Sequence, residues 1–182
     1  MHSYQSTWPT RFGEQRLRVE TVLSPWRTRD VEHIGSTAVP GLAAKDIIDM
    51  LATVVDIDAA RQSISEMASI GWIHAPEPTD EAERRLSFCF PTRERRTHHL
   101  HVVEEDSDTW RGWIAFRNYL RSHAEVARQY QALKVGLTTL HGQDPNSRDD
   151  YRAGKAAFIL RITATALSDP GRGGASPGSS PG

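Results

Sequence analysis

One carboxylate, Asp49, interrupts the aliphatic and β-branched run from Ile47 to Val55, fourteen positions after Gly35. An unpaired carboxylate in such a run is costly to bury, so Asp49 borders a cleft, binds a cation or meets a basic partner. Gly35-Ser36-Thr37 precedes it, between the short run Val31 to Ile34 and the Pro40-Gly41 turn. A Gly-Ser pair offers backbone N–H groups and a hydroxyl with little bulk, which suits an oxyanion such as phosphate. The same pair also makes an ordinary turn, and its spacing matches neither the P-loop nor the dinucleotide fingerprint.

A second constellation is His98-His99-Leu100-His101. On a strand His99 and His101 point to one side, and a histidine pair two residues apart can seat a transition metal; it can equally be a polar strand face. Glu32 or His33 could complete such a site, or either could be a satisfied interior residue. The third feature is basic: Arg117, Arg121, Lys134 and Lys155, with Tyr130 and Tyr151, in a chain whose lysines stand only at 45, 134 and 155. Cations facing a Gly-Ser loop would bind phosphates, whereas most cations on helices are simply solvated.

The elements that must position these residues follow from periodicity. Phe12, Val19, Val22, Leu23 and Trp26 predict an opening helix closed by Pro25. A short strand at 31–34, a polar Gly loop and a core strand at 47–55 come next. Asp56 or Asp58 can cap a helix bearing Ile57, Ile64, Met67 and Ile70, with Gly71 as its stop. Residues 72–74, 85–90 and 97–103 read as three antiparallel strands, the last placing His99, His101 and Val103 on one face and His98, Leu100 and Val102 on the other. Ser107 or Asp108 starts a helix with Trp110, Trp113, Ile114, Phe116 and Leu120, the aromatics being core positions. A second helix carries Val126, Tyr130, Leu133, Leu137 and Leu140. After a loop at Gln143 to Asn146, Asp149 or Asp150 caps a last helix with Tyr151, Phe158, Ile159 and Ile162. This order is the α+β pattern.

The chain has 182 residues and a net charge of -1, enough for one well-cored domain and without a global electrostatic reason to bind nucleic acid or an anionic membrane. No apolar run approaches a bilayer span and Met1 to Thr10 lacks a signal pattern, so the expected compartment is the cytoplasm. Cys89, the single cysteine, cannot form an internal disulfide and sits between Phe88 and Phe90 as a buried strand residue would. Residues 1–167 form the expected single domain. Residues 168–182, almost all Gly, Pro and Ser, form an expected disordered tail.

Glu32-His33-Ile34-Gly35-Ser36-Thr37, Val39 to Lys45 and Ile47-Ile48-Asp49 resemble the signature of the GrpB-like proteins, a branch of the nucleotidyltransferase-fold superfamily. The likeness extends to Arg96 through Val103, to Phe116 through Arg121, to Tyr130 with Lys134, and to Tyr151 with Lys155 and Phe158. It covers nearly all of residues 8–162 except 74–95, where Arg84 and Arg85 match loosely. The resemblance implies a small mixed or antiparallel sheet with an N-terminal helix and a C-terminal helical segment, the histidine strand lying beside the strand of Asp49. It implies a Gly-Ser turn holding a triphosphate and an Asp-x-Asp pair holding two Mg²⁺. Here the second acid position is Leu51, and Asp46 falls on the opposite strand face by parity.

The function implied is metal-dependent transfer of a nucleoside monophosphate from an NTP to a small acceptor. Asp49, His99 and His101 would be catalytic, and Gly35, Ser36, Thr37, Lys45, Arg117, Lys134, Tyr151 and Lys155 would hold the nucleotide. The metal, Mg²⁺ or alternatively Mn²⁺ or Zn²⁺, would draw ligands from Asp49, Glu32, His33, His99 and His101. Two other functions fit the same pocket: a catalytically silent nucleotide- or metabolite-binding module, and a His/Asp metal-site enzyme acting on a small molecule.

Overall fold

The structure is a computed structural model that describes residues 1–141 and 148–169; the expected loop at Gln143 to Asn146 and the tail from 170 onward lie outside the described residues. Helix α1 (Trp8–Leu23) is followed by β1 (Glu32–Ile34), a 3₁₀ turn (Ser36–Ala38) and β2 (Ile48–Val54). Then come α2 (Ile57–Ala60), α3 (Ser63–Ser69), β3 (Ile73–His74), β4 (Arg85–Phe90) and β5 (His98–Glu104). Three helices end the order: α4 (Asp108–Ser122), α5 (Ala124–His141) and α6 (Arg148–Ser168). The sheet runs β1-β2-β5-β4-β3. Only β2 and β5 pair in parallel; the other neighbours are antiparallel, including the expected β3-β4-β5 set. The fold is the expected mixed α+β arrangement.

Each central strand is buried on both sides, so its alternate residues serve different layers. Ile48, Met50, Ala52 and Val54 of β2, with Leu100 and Val102 of β5, pack against Trp8, Val19 and Leu23 of α1 and Met67 of α3. On the opposite face Ile34, Leu51 and Val103 lie under Trp110, Trp113 and Ile114 of α4. A third cluster of Val39, Leu42, Leu120 and Tyr130, with Phe116 and Phe158, ties the β1–β2 connection to the C-terminal helices. The aromatics of α4, expected as core, are partly buried and pack against these clusters. Cys89 is buried, and that burial pushes its thiol pKa up, against a nucleophilic role.

Three helical segments differ from the periodic reading. α1 starts at Trp8, with Pro9 in its first turn, and stops before Trp26, because Pro25 has no N–H for a helical bond. The segment read as one helix from Asp56 to Ile70 is two: the Asp56 side chain caps α2 at Asp58 N, but Ser63 Oγ donates to the Ala60 carbonyl at 2.7 Å and breaks the continuity. α6 begins at Arg148, ahead of both expected caps, and Ser168 is its last residue rather than the first of the tail. Among the described residues no helix is long and apolar enough to cross a membrane. A chain ended at Asp169 should keep its melting temperature and ligand affinity, because the removed Gly/Pro/Ser segment has no apolar side chain larger than proline to bury. A loss of several degrees in a thermal melt would show that the segment packs on the domain.

Candidate functional site

A cavity of about 270 Å³ opens beside the paired strands β2 and β5, walled by the 3₁₀ turn, the segment entering β2, and helices α5 and α6. Ser36 and Thr37 line one side, and Asp49 and His99 lie on the sheet. Gly35 precedes the turn at φ +70°, a conformation that glycine adopts without strain. The turn also presses on the carboxylate: a Cβ at position 35 would run into Asp49 Oδ2 and come within 3.1 Å of its Cγ. Glycine here is what lets the Gly-Ser turn and Asp49 occupy one corner.

Opposite the carboxylate the cavity is cationic, lined by Lys45, Lys134, Lys155, Arg96 and Arg152. Lys134, only 3% exposed, donates to Ser36 Oγ at 3.0 Å and to the Ala43 carbonyl at 2.6 Å. Burial, aided by the Lys155 charge, lowers its pKa to about 8. Lys155 is also lowered, first by burial, with Lys45 and Arg152 adding to the effect and Asp49 opposing it. The Tyr151 ring lies beneath both Lys45 and Lys155 ammonium groups, at 4.7 and 4.5 Å from its centroid. The π face attracts each ammonium and so offsets part of the repulsion between them.

Asp49 and His99 are direct partners across the parallel ladder, and His99 Nδ1 lies 3.2 Å from Asp49 Oδ1. His101 sits two residues further on the same face, and one ligand-capable atom from each of Asp49, His99 and His101 falls within 4.8 Å of the other two. Burial lowers His101 to about 4, so its ring is neutral near pH 7. The expected face assignment of β5 therefore holds, and the expected adjacency of the two strands is what builds the cluster.

Other expected residues are engaged elsewhere. His33 pairs in register with Met50, on the α1 face of the sheet, where it stacks on Phe12 at 4.7 Å and shares a hydrogen bond with Thr37 Oγ1 at 3.0 Å. Burial holds it at a pKa of about 4, and strand parity takes it away from Asp49. Glu32 is on the Asp49 face but lies at the sheet edge, where it accepts from Arg117 at 2.6 Å. Arg117 does not line the cavity either: it is 6% exposed and also donates to the His33 carbonyl, so it fastens β1 to α4 instead of facing a phosphate. Arg121 likewise donates to the Ala38 carbonyl and closes the 3₁₀ turn. Asp46 accepts from Trp8 Nε1 and Arg11, outside the site.

Arg96, Arg152, Ile47 and Met1 line the cavity without having been singled out as site residues. Arg96 Nη1 lies 3.4 Å from His99 Nε2. Its place at the head of the histidine run was a usable signal, as was Arg152 between Tyr151 and Lys155. Nothing in the pattern marks Met1.

A family model described as GrpB protein matches residues 1–165. The chain belongs to the GrpB family. It is 35% identical over 156 residues to the UPF0157 protein YqkA of Bacillus subtilis, a match covering 86% of this chain and 43% of YqkA. It is also 35% identical over 155 residues to a UPF0157 protein of Deinococcus radiodurans, covering 85% and 75%. The chain thus spans less than half of YqkA but three quarters of the second relative. Among solved structures, that of the conserved protein GrpB from Enterococcus faecalis superposes with a TM-score of 0.79 at 35% identity, covering 91% of this chain and 95% of that one. The resemblance read from the Gly-Ser and histidine runs is therefore correct at the level of the GrpB family.

In this GrpB protein Leu51, at the position of the absent second acid, is 1% exposed and sealed among Ile34, Val103 and the α4 aromatics. Leu51→Asp should therefore cost several kcal/mol of stability, as an unpaired buried carboxylate does, and create no second metal ligand. Urea unfolding checks the first half and metal titration the second; a stable variant with tighter Mg²⁺ binding would contradict this burial argument.

Proposed function

We propose that the cavity binds the phosphates of a nucleoside triphosphate and supports transfer of the nucleoside monophosphate to a small acceptor, as the nucleotidyltransferase-fold resemblance of the family implies. The observation that carries this reading is electrostatic: five cationic side chains meet one carboxylate in a single cavity of a chain whose net charge is -1. A low-dielectric pocket of that charge attracts a polyanion. Lys134 donates one N–H to Ser36 Oγ in the turn and one to the Ala43 carbonyl, leaving the third for a phosphate oxygen. Lys45 and Lys155 are poised on the Tyr151 ring, and Gly35 leaves room for close approach to the backbone. Asp49 is the carboxylate placed to take a proton from an acceptor or to hold a cation.

A pair of Mg²⁺ ions does not fit these residues. Mg²⁺ takes oxygen ligands, and the carboxylate expected two positions after Asp49 is a leucine buried in the core. No step is assigned to such a pair. The same burial favours a second reading, a nucleotide-binding module without turnover; pyrophosphate release from NTP in the presence of candidate acceptors separates the two.

Calorimetric titration with ATP, GTP, CTP and UTP in the presence of chelator tests the binding itself. Lys134→Met or Lys155→Met should each weaken the preferred NTP by about tenfold or more, the worth of one charge-assisted hydrogen bond. Unchanged affinity in both variants would overturn the assignment. A pH series adds an independent check. Lys134 carries its proton below about pH 8 and loses it above, so NTP affinity should fall from pH 7 to 9, and Lys134→Met should flatten that slope. For the free protein the sign is opposite: between about 8 and the ordinary lysine value of 10.5 the unfolded chain binds the extra proton, so this group adds stability as pH rises through that window.

A further inference from the structure

We infer that Asp49, His99 and His101 form a mononuclear site for a borderline divalent transition metal of the Zn²⁺ class, and that Ser87 and Asp80 hold His101 in its ligating tautomer. The site shares the cavity with the proposed nucleotide but requires no nucleotide to form. Two imidazoles and one carboxylate are the donor set that suits Zn²⁺ and its neighbours, as opposed to the oxygen set of Mg²⁺.

The tautomer follows from counting hydrogens. Asp80 Oδ1 accepts from Arg85 Nε at 2.7 Å and from Ser87 Oγ at 3.0 Å, while Oδ2 accepts from the Glu77 N–H at 3.1 Å. A serine hydroxyl has a single proton, and Asp80 receives it. At its 3.2 Å contact with His101 Nδ1, the Ser87 oxygen must then be the acceptor, so Nδ1 carries the ring hydrogen. Nε2 is left bare, its lone pair available to a cation. The supporting tier is rigid: Asp80, Arg85 and Ser87 are all buried, and His101 meets Trp113 edge-on at 4.9 Å. A carboxylate acting through a hydroxyl on a histidine is the kind of outer support that metal-ligating imidazoles have. β4 delivers it because Ser87 lies opposite His101 in the antiparallel register.

The third ligand is shared with a proton. Arg96 can only donate to His99 Nε2, which puts the His99 hydrogen on Nδ1, between the ring and Asp49 Oδ1. An ion binding there moves that proton to Nε2 and parts Arg96 from His99, leaving its guanidinium free within the cavity it already lines. Protein ligands number three, and the remaining side faces the cavity, the pattern of a centre that keeps a position open for substrate or water.

The test uses full-length protein stripped with chelator and dialysed against Zn²⁺ alone or Mg²⁺ alone, followed by elemental analysis and calorimetry. About one equivalent of Zn²⁺ should be retained where Mg²⁺ is not, and Co²⁺ should give the visible bands of a low-coordinate imidazole site. His99→Ala and His101→Ala should lose the metal while keeping the wild-type far-ultraviolet circular dichroism. Ser87→Ala should weaken Zn²⁺ about 10–100-fold, with Ser87→Thr restoring it, since threonine keeps the hydroxyl. Wild-type protein that retains no Zn²⁺, or histidine variants that still bind it, would overturn the site. Full affinity in Ser87→Ala would overturn the support assigned to Ser87 and Asp80. NTP titration in chelator reads the lysines and not this cluster, so failure of the metal site and failure of the nucleotide reading are seen separately.

Discussion

The parallel pairing of β2 with β5, in the register that sets Asp49 opposite His99, is the constraint on which the rest of the molecule depends. Both strands are central, and both alternate between a mainly apolar face against α1 and α3, with His98 of β5 at its start, and a face that changes character along its length. On that second face Asp49 and His99 border the cavity, His101 lies one step inward, and Leu51 and Val103 are already core under α4. A slip of β2 by one residue would send the carboxylate into the apolar layer, at a cost of several kcal/mol for the charge, and a slip of β5 would send both histidines there. The same register makes position 51 a core position: the polar stretch of this face ends within two residues of Asp49 because the core begins there.

The second organising feature is the use of cations as fasteners. Arg117, Arg121 and Lys134 all reach from the C-terminal helices to backbone carbonyls, Arg117 to β1 at His33 and the other two to the β1–β2 connection at Ala38 and Ala43. Such bonds anchor a Gly-containing turn that has little apolar surface of its own. Lys134 combines this role with the cavity, and the combination explains its lowered pKa: the geometry that positions the turn removes water from the ammonium. Arg117 and Arg121 are turned wholly to structure, with Glu32 compensating the Arg117 charge. Removing one partner of such a pair would strand the other, so these positions report on stability before they report on ligand.

Much of this was legible from residue types and spacing. Alternation assigned the faces of β5, the single carboxylate of β2 marked the cavity wall, the Ser107 cap and the apolar spacing located α4, and the Gly-Ser and histidine runs pointed to the GrpB family. These signals are local: each depends on a period of two or 3.6 residues or on one turn, and a linear pattern records them directly. Helix ends were less legible because a single hydroxyl, that of Ser63, outweighs a continuous apolar stripe.

What only the tertiary structure decided is which polar groups meet. Glu32, His33 and Arg117 carry the same residue types as true site members, but an edge position, strand parity and a mutual ion pair remove them from the cavity. Conversely Arg96 and Arg152 join it, and His101 is met by Ser87 of β4, itself bound to Asp80 of the β3–β4 connection. Sequence by itself determined the fold class, the carboxylate and the histidine pair, because burial patterns along one strand encode them. The partners of those groups come from strands and helices distant in the chain, and their hydrogen bonds depend on register and packing that no single segment specifies.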